Sequence, residues 1–475
     1  MKTSTYYINL IQNRGNALVN LEALLKQDSG RGFGKVTRLL EKNPQLNERI
    51  YANLFSAQII NSYPYHLKSL SLGKILLWNC NLINTYSSFI AEFSKKKDVF
   101  EKLFLSAKYD EAYEICEKIR EEYGCSMWLL DAYGLLETFS KSEYAFKDYF
   151  DERTLNYYSI FLLKNKKTER QTQYVNRINH LLSKIKEPFL SYYKYKLFSE
   201  MPFNTSEVDY KWRNILQIES GYSLIDIYLV TIDCLQYYTK HPIKSKLPLF
   251  VSCIDLISNV DTPYCQELSA IFGNKQIIYD DTLSTFDYIQ LVKNEDYSKI
   301  VDLFLEQGLG GDNGFNVCRY AAIAALHKED ALEITPNSLT EEILVYTYNI
   351  LGKNNEKAVH ESVSKLASLS RILRSFSIHK GMCIFLDTEI NIGMNYHFVQ
   401  QVCTYSDDIL LSFEFDNDIL TLLPYRALCS FDDANNIISL LGKCKVANNK
   451  PLTKNYYETA VVKSRVDALI TGGSI

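Results

Sequence analysis

Proline is scarce in this chain, 10 among 475 residues, and glycine is modest at 19. Few prolines leave helices uninterrupted, because an internal proline removes a backbone hydrogen bond and clashes with the preceding turn. No run reaches the roughly 18 to 20 apolar residues of a membrane span. The longest candidate, 247 to 257, is short and carries Asp255. The start, Met1-Lys2-Thr3-Ser4-Thr5, has no apolar stretch before Asn9 and Gln12, unlike a secretory leader. No two of the 11 cysteines form a C-x-x-C pair, and their odd number does not suit a closed disulfide framework. These absences predict a cytoplasmic protein with free, mostly buried thiols, no membrane partner and no metal or other cofactor.

What is present is enough apolar material for a large core: 47% hydrophobic and 23% charged residues, with a formal net charge of -4. Length admits two to four domains or one elongated array. Apolar positions recur mostly at helical spacing. After Ser206 they fall at Val208, Trp212, Ile215, Leu216 and Ile218. Ser223 with Asp226 three residues on has the form of a capping box, and the helix that follows is apolar on more than one face. Asp261-Thr262-Pro263 predicts a capped start with a stop at Gly273, and Ser338 with Glu341 predicts another start. Ser430-Phe431-Asp432-Asp433 predicts a further one. Frequent caps mean many helices joined by short loops. Cys383 to Leu386 and Ile409 to Phe415 are short apolar runs that a strand or a buried helix would fit, so a little β structure in the C-terminal region stays open.

One local phrase recurs. Leu105-Ser106-Ala107-Lys108-Tyr109-Asp110-Glu111-Ala112 reads as a helix end, a tight turn and a new helix. Leu291-Val292-Lys293-Asn294-Glu295-Asp296-Tyr297 repeats it, and Leu351-Gly352-Lys353-Asn354-Asn355-Glu356-Lys357-Ala358 is a looser copy. A small or polar residue reverses the chain, the tyrosine seals the turn, and alanine lets two helices approach. The phrase resembles the junction between the paired helices of tetratricopeptide repeats. It covers about 15 residues at each of three places, without the full periodic signature. The resemblance implies an all-α fold, an α-solenoid of stacked antiparallel helix pairs. The expected regions are an N-terminal helical part (1–163), a central repeat part (164–310) and a C-terminal helical part (311–475).

Gly30-Arg31-Gly32-Phe33-Gly34-Lys35 fails as a phosphate cradle, since Ser29 stands where the first glycine belongs and Val36 where Ser or Thr belongs. A glycine-rich connector is expected there, and likewise at Gly308 to Gly314, where Asn313 replaces a fingerprint glycine. The histidines show no metal spacing. Arg374 and His379 have the Arg-x4-His spacing seen in helical HEPN ribonucleases. That resemblance implies two residues converging to activate a ribose hydroxyl and steady a phosphate. With three permitted offsets, 14 arginines and 7 histidines give roughly 0.6 such spacings by chance in a chain of this length, so a surface arginine and a satisfied histidine are the competing expectation.

Charge is unevenly spread. Between 164 and 196 nine basic residues, among them Lys164, Lys166, Lys167, Arg170, Arg177, Lys184 and Lys186, face only Glu169 and Glu187. Tyr174, Tyr192, Tyr193 and Tyr195 are interleaved, a combination that could hold a phosphate backbone and stack bases, or simply form a solvated helix face. From Gly381 to Tyr425 there is no Lys or Arg, while seven carboxylates accumulate. Complementary fields of this kind suit docking to a partner. The leading expectation is a non-enzymatic scaffold or adaptor for another protein. The alternatives are a nucleic-acid-binding or RNA-cleaving helical protein, and an accessory subunit of a bacterial multi-gene system such as antiviral defence.

Overall fold

The computed structural model describes residues 17–28, 32–50, 67–140, 171–198, 207–219, 223–240, 246–272, 296–309, 314–327, 335–352, 356–379, 381–383 and 385–386, with single residues 11, 30 and 291. Its helices are α1 (Ala17–Gln27), α2 (Phe33–Glu41), α3 (Pro44–Ile50), α4 (Leu72–Thr85), α5 (Ser87–Leu105), α6 (Tyr109–Tyr123), α7 (Met127–Ser140), α8 (Gln171–Leu182) and α9 (Phe189–Leu197). They continue with α10 (Val208–Glu219), α11 (Leu224–Lys240), α12 (Leu247–Ile257), α13 (Pro263–Phe272), α14 (Tyr297–Gln307), α15 (Gly314–His327), α16 (Leu339–Gly352) and α17 (Glu356–Ile372). The described residues contain no strand. No helix among them is long and apolar enough to cross a membrane. The chain groups into two compact units, 1–277 and 278–475. The region boundaries expected at 163/164 and 310/311 lie outside the described residues.

In the first unit two helices act as hubs. α4 packs against α2, α10, α11 and α12, and α11 reaches α4, α5, α7, α10, α12 and α13. Both are apolar around most of their circumference. In α11, Leu224, Ile225, Ile227, Tyr228, Val230, Ile232, Leu235 and Tyr238 are all buried, so the many-faced pattern in the sequence marks a central helix. Close approach to α4 needs small residues. A β-carbon on Gly34 would meet Asn81 Oδ1 at 2.8 Å, and one on Gly73 would meet Leu249 Cδ2 at 2.9 Å. Polar ties cross long stretches of chain: Asn79 donates to Thr231 at 3.1 Å, and Gln217 to the Leu67 carbonyl at 2.9 Å. Phe93 and Phe100 flank Trp128 edge-on, at 5.2 and 5.5 Å between ring centres.

The recurring phrase forms a helix–turn–helix junction. After α5, Ala107 adopts φ +59. The Lys108 amide then donates to the Leu103 carbonyl at 2.9 Å, and the Ala107 amide to Phe104 at 3.1 Å. This is the paired cap that closes a helix through a left-handed residue. Tyr109 packs on Phe104 at 5.5 Å, and Ala112 is fully buried where α6 meets α5. The second copy shows the same closing bond, from the Asp296 amide to the Leu291 carbonyl at 3.0 Å, one residue before α14. The third lies between α16 and α17, which pack together.

In the second unit each described helix packs on the next in sequence: α14 on α15, α15 on α16, α16 on α17. Ser338 caps α16 by accepting from the Glu341 amide at 3.3 Å, and Glu341 reaches back to the Asn337 amide. The possible strand at Cys383–Leu386 is corrected, since 381–383 and 385–386 are helical. Ile378, Met382, Phe385 and Leu386 are buried at spacings of four, three and one. A four-residue window hides that period, which becomes visible when Ile378 is included. The run 409–415 and the start at Ser430 lie outside the described residues.

Candidate functional site

Much of the chemistry suggested by the sequence is absorbed by the fold. In the first glycine cluster Asp28 Oδ1 accepts from the amides of Gly30 and Gly32 at 2.8 and 3.2 Å. A carboxylate of the chain itself thus occupies the donors that a phosphate would use. In the basic stretch Tyr174, Tyr192, Tyr193 and Tyr195 are all buried. Tyr174 donates to the Leu197 carbonyl at 2.9 Å and Tyr195 to Asp233 at 2.7 Å. These rings are core, and bases cannot stack on them. Lys184 and Lys186 are exposed, while Arg177 is half-buried with its guanidinium 5.4 Å from the Tyr174 ring centre. Lys164, Lys166, Lys167 and Arg170 lie outside the described residues, as do the carboxylates from Asp387 onward.

Lys196, the last basic residue of that stretch, turns inward. It pairs with Glu219 at the end of α10, where their side chains are 15% and 2% exposed. Burial drives the Glu219 carboxyl up to about 7 against the pull of Lys196. Burial opposes the charge of Lys196, but Glu219, Asp226 and Asp131 outweigh it and raise its pKa. Beside them Asp226 accepts from the Met127 and Trp128 amides at 2.9 and 3.1 Å. Those are first-turn amides of α7, which lack partners within their own helix. The Asp226 amide in turn donates to Ser223 at 3.2 Å. Half of the foreseen capping box therefore closes locally, while its carboxylate caps a different helix. The network is a structural tie between α7, α9, α10 and α11.

The thiols divide by environment. Cys80, Cys234, Cys253 and Cys265 are buried in α4, α11, α12 and α13. A hydrogen bond to Cys253, followed by burial, raises the Cys80 thiol, and burial pushes Cys265 up to about 12. Cys318 is likewise pushed to about 12 by burial. These are unreactive core thiols. Among the described residues no three of His, Cys, Asp and Glu are grouped to hold a metal ion.

Cys383 differs. It is half-buried, one helical turn after His379. The last carbonyls of a helix have no acceptor role within it, and Ser370 lies in the last turn of α17. His379 Nδ1 sits 2.7 Å from the Ser370 carbonyl oxygen. A carbonyl only accepts, so Nδ1 carries the hydrogen and Nε2 of the neutral ring is a lone pair. Cys383 Sγ lies 3.6 Å from Nε2, 3.8 Å from Nδ1 and 3.2 Å from Ser370 Oγ. The turn 373–378 brings them together through bonds from Leu373 to Leu369, Phe376 to Leu373 and His379 to Phe376, of 2.8, 2.9 and 3.1 Å. Gly381 allows the segment to seat on α15, since a β-carbon there would meet Phe315 Cβ at 2.8 Å.

Of the residues singled out by spacing, His379 is thus tied to Ser370 and Cys383, and Arg374 is half-buried in the turn between them. The sequence reading missed Cys383 and Ser370. The available signal was the four-residue step from His379 to Cys383, which shares a helix face only once the segment is read as helix. Comparison with protein-family models, curated proteins and solved structures finds no match.

Proposed function

We propose that this protein is a non-enzymatic helical-repeat scaffold that binds another protein. The observation carrying this reading is the serial packing of α14 to α17, each helix on its sequence neighbour. Serial packing is the arrangement from which repeat proteins build extended binding faces. Asp28 takes the amides of the glycine cluster, and the four tyrosines of the basic stretch are buried, which favours a scaffold over a nucleotide site or a base-stacking surface.

The test is purification of the tagged full chain from its native host at low salt, with mass spectrometry and a nucleic-acid assay. A stoichiometric protein partner, weakened by charge reversal at the exposed Lys184 and Lys186, is the expected result. Co-purifying RNA or DNA that leaves as salt rises would overturn it. That outcome would favour the alternative in which the lysines hold phosphates and Arg374 and His379 act on a ribose, with loss of cleavage in His379→Ala as its check.

A further inference from the structure

We propose that Cys383, His379 and Ser370 form a reactive thiol site that exchanges with low-molecular-weight disulfides. The reading is independent of the scaffold role. It rests on three observations made together: a fixed histidine tautomer, a sulfur beside that ring, and a hydroxyl against the sulfur.

The bond from Nδ1 to the Ser370 carbonyl is by itself only a helix cap. Its further effect is to leave Nε2 as the basic nitrogen. Loss of the Cys383 proton to solvent and uptake of a proton at Nε2 would leave a thiolate beside an imidazolium. The sulfur is almost equidistant from the two ring nitrogens, so it flanks the ring and does not point along one nitrogen's axis. Attraction between a thiolate and an imidazolium depends on distance, not on such alignment. The Nδ1 hydrogen is taken by the carbonyl, so the Ser370 hydroxyl is available to donate to the sulfur at 3.2 Å. A nucleophile, a base and a group orienting the base are the elements of an activated thiol.

Disulfide exchange asks little more of a protein. The Cys383 thiolate attacks one sulfur of R–S–S–R. A new bond forms between Cys383 Sγ and that sulfur as the original S–S bond breaks, and the departing R–S⁻ takes the proton from His379. Cys383 is oxidised to a mixed disulfide and one R–S group is reduced to the free thiol. Half-burial admits a small disulfide to Cys383, whereas the core thiols of Cys80, Cys234, Cys253, Cys265 and Cys318 are closed to it.

The test exposes the full chain to oxidised glutathione at about pH 7 and maps the modified cysteines against time. Cys125 is the internal reference: it is likewise half-buried, and burial raises its thiol. An ordinary thiol is only a few per cent ionised near pH 7, so pairing with His379 is expected to make Cys383 react at least about tenfold faster than Cys125. His379→Asn should bring Cys383 down to the Cys125 rate, with Cys125 itself unchanged. Ser370→Ala, which keeps the carbonyl, should slow Cys383 by about threefold, half the effect of one charge-assisted hydrogen bond or less. Equal rates at Cys383 and Cys125 in the unaltered chain overturn the proposal, and that comparison requires no variant. A folded His379→Asn protein in which Cys383 reacts as before overturns it as well.

Discussion

The two units are held together in different ways. In the first, hydrogen bonds join residues far apart in the chain: Asn79 to Thr231, Gln217 to Leu67, Asp226 to Met127. Two hub helices collect the others around them. Among the described residues of the second, polar ties such as Asn349 to Ser362 at 3.2 Å and His379 to Ser370 are local, and α14 to α17 pack in chain order, with one return contact of Phe385 on Phe315 of α15. Long-range closure makes a unit slow to form and cooperative once formed. Nearest-neighbour packing lets one end loosen without the rest.

The sharpest way to break this comparison is to remove one charge from the buried network. Lys196→Met leaves Glu219 unpaired in the interior, and loss of one partner of a buried pair costs about 3–5 kcal/mol. Urea unfolding should show the first transition falling by that amount, with the second unit's transition unmoved. Adding Glu219→Leu should restore most of it. If both transitions shift together, the units are not independent in stability.

A smaller effect is expected from the second unit. In Gly381→Ala the new methyl group meets Phe315, and overpacking of this kind costs about 1–3 kcal/mol. Hydrogen exchange should rise in 373–386 and around Phe315 while α4 and α11 stay protected. Loss of protection throughout the first unit would show that the local packing is not local in its effect.

A further effect is a pH slope. The folded Glu219 carboxyl, at about 7, lies above its ordinary 4.5. Between those values the folded chain keeps a proton that the unfolded chain has lost. The Glu219 contribution to stability is therefore fully present below about 4.5 and is lost as pH rises through about 7. Glu219→Gln should flatten the fall in the first unit's transition midpoint over that window. An unchanged slope would mean that Glu219 does not titrate there.

The sequence disclosed local structure better than assembly. Ser223, Thr262 and Ser338 marked helix starts because a cap is chosen by residues within three or four positions. The phrase at 105–112 announced its turn for the same reason. Nothing local shows that Asp226 would cap α7, or that Lys196 would turn inward while Lys184 and Lys186 remain outside. Those outcomes depend on which helix arrives from elsewhere in the chain. The tyrosines of the basic stretch misled because an aromatic beside a lysine reads alike whether it faces solvent or core. Cys383 was hidden by too short a window.

On the ribosome, the bond from Asp226 to the head of α7 imposes an order of events. The amides of Met127 and Trp128 emerge 99 and 98 residues before the carboxylate that receives them. At about 5–20 residues per second, that is a wait of about 5–20 seconds. The hairpin of α5 and α6, closed by its own turn at Ala107, needs nothing from downstream and can form during the interval. The beginning of α7 cannot finish until α11 has been translated. A nascent chain arrested before residue 226 would thus hold a complete hairpin beside a helix whose first turn is still served by water.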